Sequence, residues 1–241
     1  MKRVWISKRW FGPLGAVAVA SLAIPVACLG QGYTITTVAG AVSDGQPGSG
    51  DGGPATSVLL DYISPTQVNA QVPSGVASGS QPVVVSTSAG SSSASTITVN
   101  GQEPGLLAPS SFLVGGKQYF AALFSDGATF VLPPGAIAGV ASRRAQPGDV
   151  ITLYGIGFGT VTPSVPAGQI VQQTNTLAAP LNVLFGQVQA TVKYDGLAPN
   201  AVGLYQFNLV VPNVVASDTV PLTLTLGGVA GTEALYIAVQ N

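Results

Sequence analysis

Few side chains of this 241-residue chain could carry chemistry. It contains no histidine and only one cysteine, Cys28, which excludes His-based triads, histidine metal sites and imidazole acid–base catalysis. Asp149 and Asp195 could in principle form the carboxylate pair of a glycosidase, but nothing in their spacing brings them together, and turn capping explains them more simply. No SxxK motif places Lys117 or Lys193 beside a serine. We therefore predict no catalytic residue and no enzyme.

Two glycine-rich stretches could in principle bind ligands. Residues 155–159, GIGFG, lack the third glycine spacing of the dinucleotide fingerprint GxGxxG, and Thr-Val-Thr-Pro follows in place of a helix. We predict a curved, bulged strand end there. Asp44 and Asp51 lie in a second glycine-rich loop, but calcium requires about six to eight oxygen ligands, and a solvated turn accounts for these acids. No cofactor and no metal site is predicted.

The composition favours β-strands. The chain is 46% hydrophobic and only 7% charged, with 31 glycines and 18 prolines, whereas ordinary globular chains are about 25% charged. A helical bundle would need charged helix faces, so we predict an all-β fold. Beyond residue 30 only four basic residues face nine acids. The clustered lysines and arginines of a nucleic-acid-binding surface are therefore missing.

The first thirty residues have the pattern of an export signal. Lys2, Arg3, Lys8 and Arg9 precede a short apolar run, residues 14–27, and small residues follow. This run is shorter than the about 20 residues of a membrane-spanning helix. We predict a signal peptide over 1–30, a secreted, periplasmic or cell-surface protein, and no membrane span after its removal.

Cys28 has two interpretations. It is either a small residue near the cleavage point or a lipidation site. Pro25 stands where a lipidation motif would carry leucine, which favours simple cleavage. With one cysteine, no intramolecular disulfide can form.

One β unit is used twice. The stretch Phe207–Leu224 resembles Val68–Val85, and each copy is followed by an alternating strand, at 237–239 and 97–99. Such a repeat is the signature of a duplicated supersecondary unit. The matching residues lie 139 positions apart in every case: Asn69 and Asn208, Pro73 and Pro212, Ala77 and Ala216, Ser78 and Ser217, Pro82 and Pro221.

The strand pattern divides the remaining chain into three parts. Residues 31–60 contain one strand, 34–38, before a glycine-rich loop. Residues 61–103 contain about three clear strands, which is fewer than the about seven of a full sandwich. Either residues 33–60 supply the missing strands, or this part packs on the next domain. Residues 104–241 show turn signals at roughly ten-residue spacing, including Asp126-Gly127, for which we predict a type I′ hairpin turn.

Three quoted segments resemble one protein family. They are YISPTQVNAQVPSG from Tyr62, PGDVITLYGIGFG from Pro147 and YDGLAPNAVGLYQFNLVVP from Tyr194. Together they resemble the Solibacter-type uncharacterised C-terminal domain of acidobacterial exported proteins, over about residues 61–241. The resemblance implies immunoglobulin-like, IPT/TIG-like β-sandwiches: an incomplete one over 61–103 and a complete one over 104–241. Residues 31–60, with TVAG and GDGGPAT, resemble a single NHL propeller blade.

These expectations point to a non-catalytic exported protein with a structural, adhesive or protein-interaction role. The alternative is a carbohydrate-binding module, or an accessory domain of an extracellular hydrolase system, and its partner would be a glycan in place of a protein. Glycan binding usually needs exposed aromatic rings, for which Tyr62, Tyr194 and Tyr205 are the candidates. Core packing explains most of the aromatic residues more simply. Unpaired edges in the 61–103 part would invite strand addition and lower its stability.

Overall fold

The computed structural model describes residues 2–6, 33–38, 60–64, 67–72, 76–87 and 90–241, with side chains in 71–72, 76–85 and 90–241. In these ranges every regular element is a strand except one 3-10 helix, Ser110–Phe112, so the all-β prediction is confirmed. The chain forms two compact units. Unit 1 comprises 1–103 with 166–169, and unit 2 comprises 104–165 with 170–241. The described part holds no helix long and apolar enough to cross a bilayer.

The described part of unit 1 contains two antiparallel sheets. Its strands are β1 (Lys2–Ile6), β2 (Tyr33–Val38), β3 (Leu60–Ser64), β4 (Gln67–Val72), β5 (Gly79–Thr87), β6 (Gly90–Ser91) and β7 (Ser95–Val99). One sheet has the order β1-β4-β3; in the other, β5 pairs with β2, β6 and β7. A cluster of five buried aliphatic residues forms the core: Val72, Val76, Val83, Ile97 and Val99.

Unit 2 is an all-β, sandwich-type domain. Its strands are β8 (Gly105–Leu106), β9 (Leu113–Val114), β10 (Lys117–Gln118), β11 (Ala122–Phe124), β12 (Phe130–Val131), β13 (Ser142–Arg143), β14 (Val150–Ile156), β15 (Val161–Thr162), β16 (Thr176–Leu177), β17 (Leu181–Phe185), β18 (Val188–Gln189), β19 (Thr191–Leu197), β20 (Tyr205–Val210), β21 (Ser217–Leu226), β22 (Val229–Ala230) and β23 (Leu235–Val239).

Two main sheets build this domain. The first has the order β13-β12-β11-β14-β20-β19, with β8 also on β14, and the second has the order β18-β17-β21-β22, with β23 on β21. Along β20 every second residue is buried, as a strand with one face on a core requires. Leu153 and Phe207 of the first sheet meet Val183 and Leu222 of the second around one small internal cavity. The core therefore lies between these two sheets.

The sequence repeat extends to the hydrogen-bond registers. Val83 pairs with Val38, and Leu222, 139 residues after Val83, pairs with Phe185. Thr87 pairs with Gly90 of β6 as Leu226 pairs with Val229 of β22. The strands β2, β5 and β6 therefore hold the places of β17, β21 and β22. The strand β7 holds the place of β23. Compared with the pairing of β7 with β5, the pairing of β23 with β21 is shifted by one residue after an irregularity between Ser217 and Val220.

The other sheet of unit 1 is equivalent to β14, β20 and β19. Asn69 pairs with Tyr62 as Asn208 pairs with Tyr194, and both ladders shift register immediately next to these tyrosines. On the opposite edge, β1 lies along β4 in the register of β14 along β20. All seven described strands of unit 1 thus match strands of unit 2 in the same chain order.

Unit 1 therefore contains more than the about three strands that the sequence predicts. Its additional strands come from segments that were assigned to the export signal and to the blade-like fragment. Lys2–Ile6 lies in the predicted export signal, and Tyr33–Val38 lies in the blade-like fragment. Both strands are short, and one lies in a signal-like sequence and the other beside glycines. The sequence pattern therefore does not show that they are equivalent to β14 and β17, whereas the strand pairing does. Residues 33–60 were one possible source of the strands missing from 61–103, and the described strand Tyr33–Val38 does supply one of them.

Two details of unit 2 differ from the sequence expectations. Asp126-Gly127 does join β11 to β12, but only Gly127 has a positive φ, so the turn is not type I′. The Asp126 carboxylate instead accepts hydrogen bonds from the backbone N–H groups of Ala128 and Thr129. The sequence pattern over 188–194 predicts one continuous strand, but the stretch is divided at Ala190, where the chain passes from the second sheet to the first.

Candidate functional site

The predicted glycan-binding tyrosines are placed differently from one another. Tyr205 is 0% exposed and donates its hydroxyl to the Gly159 carbonyl, so it offers no ring face to a ligand. Tyr194 is half-buried, and its hydroxyl donates to the Leu197 carbonyl at 2.7 Å. The backbone of Tyr62 lies in β3, but its side chain lies outside the described residues. Tyr205 therefore cannot belong to a row of three exposed rings that binds a glycan.

The alternation of Tyr205, Phe207 and Leu209 along β20 is the sequence signal that marks Tyr205 as a core residue. Its ring centroid lies 5.5 Å from that of Phe158, which in turn lies 4.5 Å from that of Phe207. Burial raises the pKa of the Tyr205 hydroxyl far above its usual range. The residue is a structural anchor of the sandwich.

Asp149 and Asp195 are not brought together as a catalytic pair. Their strands lie on opposite sides of β20, and the ladders place Asp195 at Phe207 and Asp149 beside Val211. Four residues of strand span about 13 Å, more than the about 9.5 Å upper limit for two glycosidase carboxyls. Each has a local partner, because Asp149 binds Arg143 at 2.9 Å and Asp195 accepts from the Thr176 hydroxyl at 2.5 Å.

The GIGFG run has a packing role. A Cβ atom at Gly155 would lie 2.6 Å from the Phe158 ring and 2.7 Å from the Gly105 carbonyl oxygen. Gly157 and Gly159 have φ values of +79° and +87°, which side chains rarely adopt. The β14 ladders run without a register shift here. The predicted bulge is therefore wrong, and the glycines instead let the chain turn Phe158 into the core.

Metal binding gains no candidate in the described ranges. No group of three acidic, histidine or cysteine side chains lies close enough to hold an ion there. Asp44 and Asp51, considered for calcium, lie outside the described residues, as does Cys28.

One partly buried carboxylate was not expected from the sequence. Glu233 accepts a hydrogen bond from the backbone N–H of Leu106 at 3.0 Å. The small cavity beside it is otherwise lined by apolar residues, among them Leu222, Leu224 and Leu235. Burial raises the pKa of Glu233, and the hydrogen bond from Leu106 only partly offsets that effect. The carboxylate fastens the first strand of unit 2 to the loop before β23.

An ion pair closes the start of β21. Arg144 contacts both oxygens of Asp218, with Nε at 2.5 Å from Oδ1 and Nη2 at 2.8 Å from Oδ2. The hydrogen bonds from Arg144 lower the pKa of Asp218. The Tyr119 hydroxyl donates to the Asp218 carbonyl at 2.7 Å. These contacts connect three separate segments and have a structural role.

A groove of about 620 Å³ opens at one end of the second sheet. We call it the valine groove. Its two most exposed valines are Val215, which is 86% exposed, and Val188, which is 42% exposed. Phe185 and Val220 form a buried floor. The polar lining residues are amides and hydroxyls: Gln187, Asn213, Asn241, Ser217 and Thr219.

Three features shape the valine groove. The Gly186-Gln187 hairpin turns away from β21, and Gly186 N–H donates to the Pro221 carbonyl at 2.7 Å. On that side β17 pairs only with residues 222–226, and the preceding stretch of β21 lines the groove through Ser217 and 219–221. Pro221 has no N–H, and the N–H of Thr219 is bound by the Ser217 hydroxyl at 3.1 Å. The edge is thus poor in donors for an added strand and suited to side-chain contact.

No lining side chain of the valine groove carries a charge. Its volume lies within the about 300–1,000 Å³ of typical binding pockets. No local sequence pattern predicts this groove, because Val188 and Val215 are far apart in the chain. Comparisons with protein-family models, with curated proteins and with solved structures found no match to this chain.

Proposed function

We propose that the chain is a non-catalytic, exported or cell-surface β-sandwich protein that contacts another extracellular protein through the valine groove. Its expected kinship is with the Solibacter-type C-terminal domain and the IPT/TIG-like sandwiches, on the segments quoted above. The observation that carries the proposal is the pair of exposed valines, Val188 and Val215, in an open groove whose lining side chains are uncharged. Exposed apolar patches rimmed by polar groups are typical of protein-contact surfaces.

The lining favours a protein segment over a glycan. Sugar rings stack on exposed aromatic faces, and the aromatic residue of the groove, Phe185, is 0% exposed. Valine walls fit aliphatic or aromatic side chains of a partner, and the amides of Gln187 and Asn213 can bind its backbone. With no charged lining side chain, the partner segment is expected to be uncharged as well.

Site-specific crosslinking tests the proposal. The chain has a single cysteine, in the predicted signal, so Val215→Cys in the processed chain creates a unique attachment point for a photo-crosslinker. Val229→Cys is the matched control, because Val229 is 71% exposed but does not line the groove. On cells of the native host, Val215→Cys should yield a discrete crosslinked protein that Val229→Cys does not.

A second substitution makes the result specific. Val188→Asp places a charge in the groove and should abolish the Val215→Cys crosslink while the domain stays folded, since Val188 is already 42% exposed. The same crosslinked protein from both cysteine variants, or a crosslink that survives Val188→Asp, would overturn the proposal.

A further inference from the structure

One edge of β4 pairs with a segment that is predicted to be removed on export. Strand β1, Lys2–Ile6, pairs with β4 from Lys2 opposite Val72 to Ile6 opposite Val68. The same residues form the basic start of the predicted export signal. If the signal is removed on export, the β1 side of β4 loses its partner, while β3 remains on the other side.

The equivalent place in unit 2 is a central one. There β14 lies between β20 and β11 and pairs with Tyr205–Val210 over six residues. In register, Val4 and Ile6 occupy the positions of Ile151 and Leu153, which are 0% and 1% exposed. The place that β1 fills is thus one that this fold normally gives to a core strand with alternating apolar residues.

The freed edge has none of the usual protection against strand addition. Natural edge strands carry lysine, proline or bulges that prevent pairing. The sequence of β4, QVNAQV, has no charged residue and no proline, and its ladder with β1 has no register shift. Over five residues it offers about 17 Å of pairing length.

We propose that the processed protein uses this edge of β4 as an acceptor site for an extended segment of another protein, which adds antiparallel to β4 in the place of β1. The partner segment has apolar residues at alternate positions, as β14 does. Main-chain hydrogen bonds supply the affinity, and the alternation sets the register. The inference rests on the proposed export and processing, but it is independent of the valine groove.

A peptide of residues 1–8 is the direct probe. We compare the chain from Gln31 to Asn241 with the intact chain, in which β1 already fills the site. The labelled peptide should bind the processed chain saturably and the intact chain not at all. The Val4→Pro peptide removes an N–H and disrupts the strand, so its binding should be at least tenfold weaker. Hydrogen exchange over 67–72 should slow when the wild-type peptide is added.

Three results would overturn the inference. The processed chain could ignore the peptide and protect 67–72 as well as the intact chain does, which would mean that its own residues refill the edge. Concentration-dependent dimerisation that blocks the peptide would make a second copy the occupant. N-terminal sequencing could find Lys2 retained on the exported protein, so that the edge never opens. The first two outcomes do not affect the Val215→Cys crosslink, and in the third the retained Cys28 is replaced by serine before crosslinking, so the two proposals fail separately.

Discussion

Strands β5 and β21 hold equivalent places in two sheets with equivalent strand order, but their buried side chains differ. Val83 and Leu222 are equivalent and both are 3% exposed, and Val85 and Leu224 are equivalent and both are 7% exposed. Each valine in place of a leucine removes one methylene, which is worth about 0.8 kcal/mol when buried. At these two positions the first copy therefore keeps the register of the second with smaller buried side chains.

The second copy also has stabilising contacts that have no counterpart among the described side chains of the first. Asp218, which binds Arg144, is equivalent to Gly79, which has no side chain to form an ion pair. Unit 2 places Phe158, Tyr205 and Phe207 in one aromatic contact group, whereas the described core cluster of unit 1 is wholly aliphatic. The repeated residues therefore determine how the strands pair, while the residues around them determine how stable each copy is.

The largest expected effect comes from Phe207→Ala. Phe207 is 1% exposed, and loss of a buried phenylalanine side chain costs about 3–5 kcal/mol. Urea unfolding followed by NMR should show the transition of unit 2 at lower urea and that of unit 1 unchanged. An equal shift in both units would break the comparison, because it would mean that they unfold as one.

Gly155→Ala should have the next largest effect. The new methyl group would overlap the Phe158 ring and the Gly105 carbonyl, and overpacking typically costs about 1–3 kcal/mol. Gly101→Ala is the control, because its Cβ would meet nothing within 4 Å and its φ is not positive. Thermal unfolding should separate the two variants. Equal midpoints would remove the packing role assigned to the GIGFG run.

Some of this architecture is accessible from sequence alone. Shared residues at a constant offset, such as Asn69 and Asn208, reveal the repeat and its hairpins, because strand pairing depends on local pattern. The equivalence of β2 with β17 is not accessible, since YTITTV and LNVLF share little beyond β-propensity. The register of β1 on β4 is concealed by the basic, signal-like composition around it.

The candidate site was less predictable than the fold. No sequence pattern singles out Glu233, because its burial depends on apolar residues from distant strands. The valine groove depends on where the β17–β18 hairpin meets the segment before β21, which no local pattern encodes. Tyr205, by contrast, could have been assigned to the core from its alternation with Phe207 and Leu209.

A smaller effect is expected from Glu233→Gln, and it depends on pH. The folded-state pKa of Glu233 is raised by burial, so this group stabilises the fold fully below its unfolded pKa. The contribution is lost as the pH rises through the raised folded pKa. Glutamine keeps an acceptor for Leu106 without the charge. The variant should melt above the wild type at neutral pH, and the gap should close in acid. A lower midpoint at neutral pH would contradict this account.

The smallest effect is expected from Asp218→Asn, which weakens the contact with Arg144. Both side chains are more than one-third exposed, so solvent screening limits the loss to about 0.2–1 kcal/mol. Because the folded pKa of Asp218 is lowered, its contribution is present above the unfolded pKa and is lost as the pH falls through the folded value. Urea titrations at pH 7 and in acid should show the difference shrinking. A difference that grows in acid would exclude the ion pair as its source.

The two copies share a register, and our expectation is that they differ in stability. Native-state hydrogen exchange of the processed chain tests it most directly, through the amides of β5 and β21 at equivalent positions. We expect the amides of β21 to exchange more slowly than those of β5, since buried leucines, the aromatic group and the Arg144–Asp218 pair support the second copy alone. Equal protection in the two strands would contradict this account.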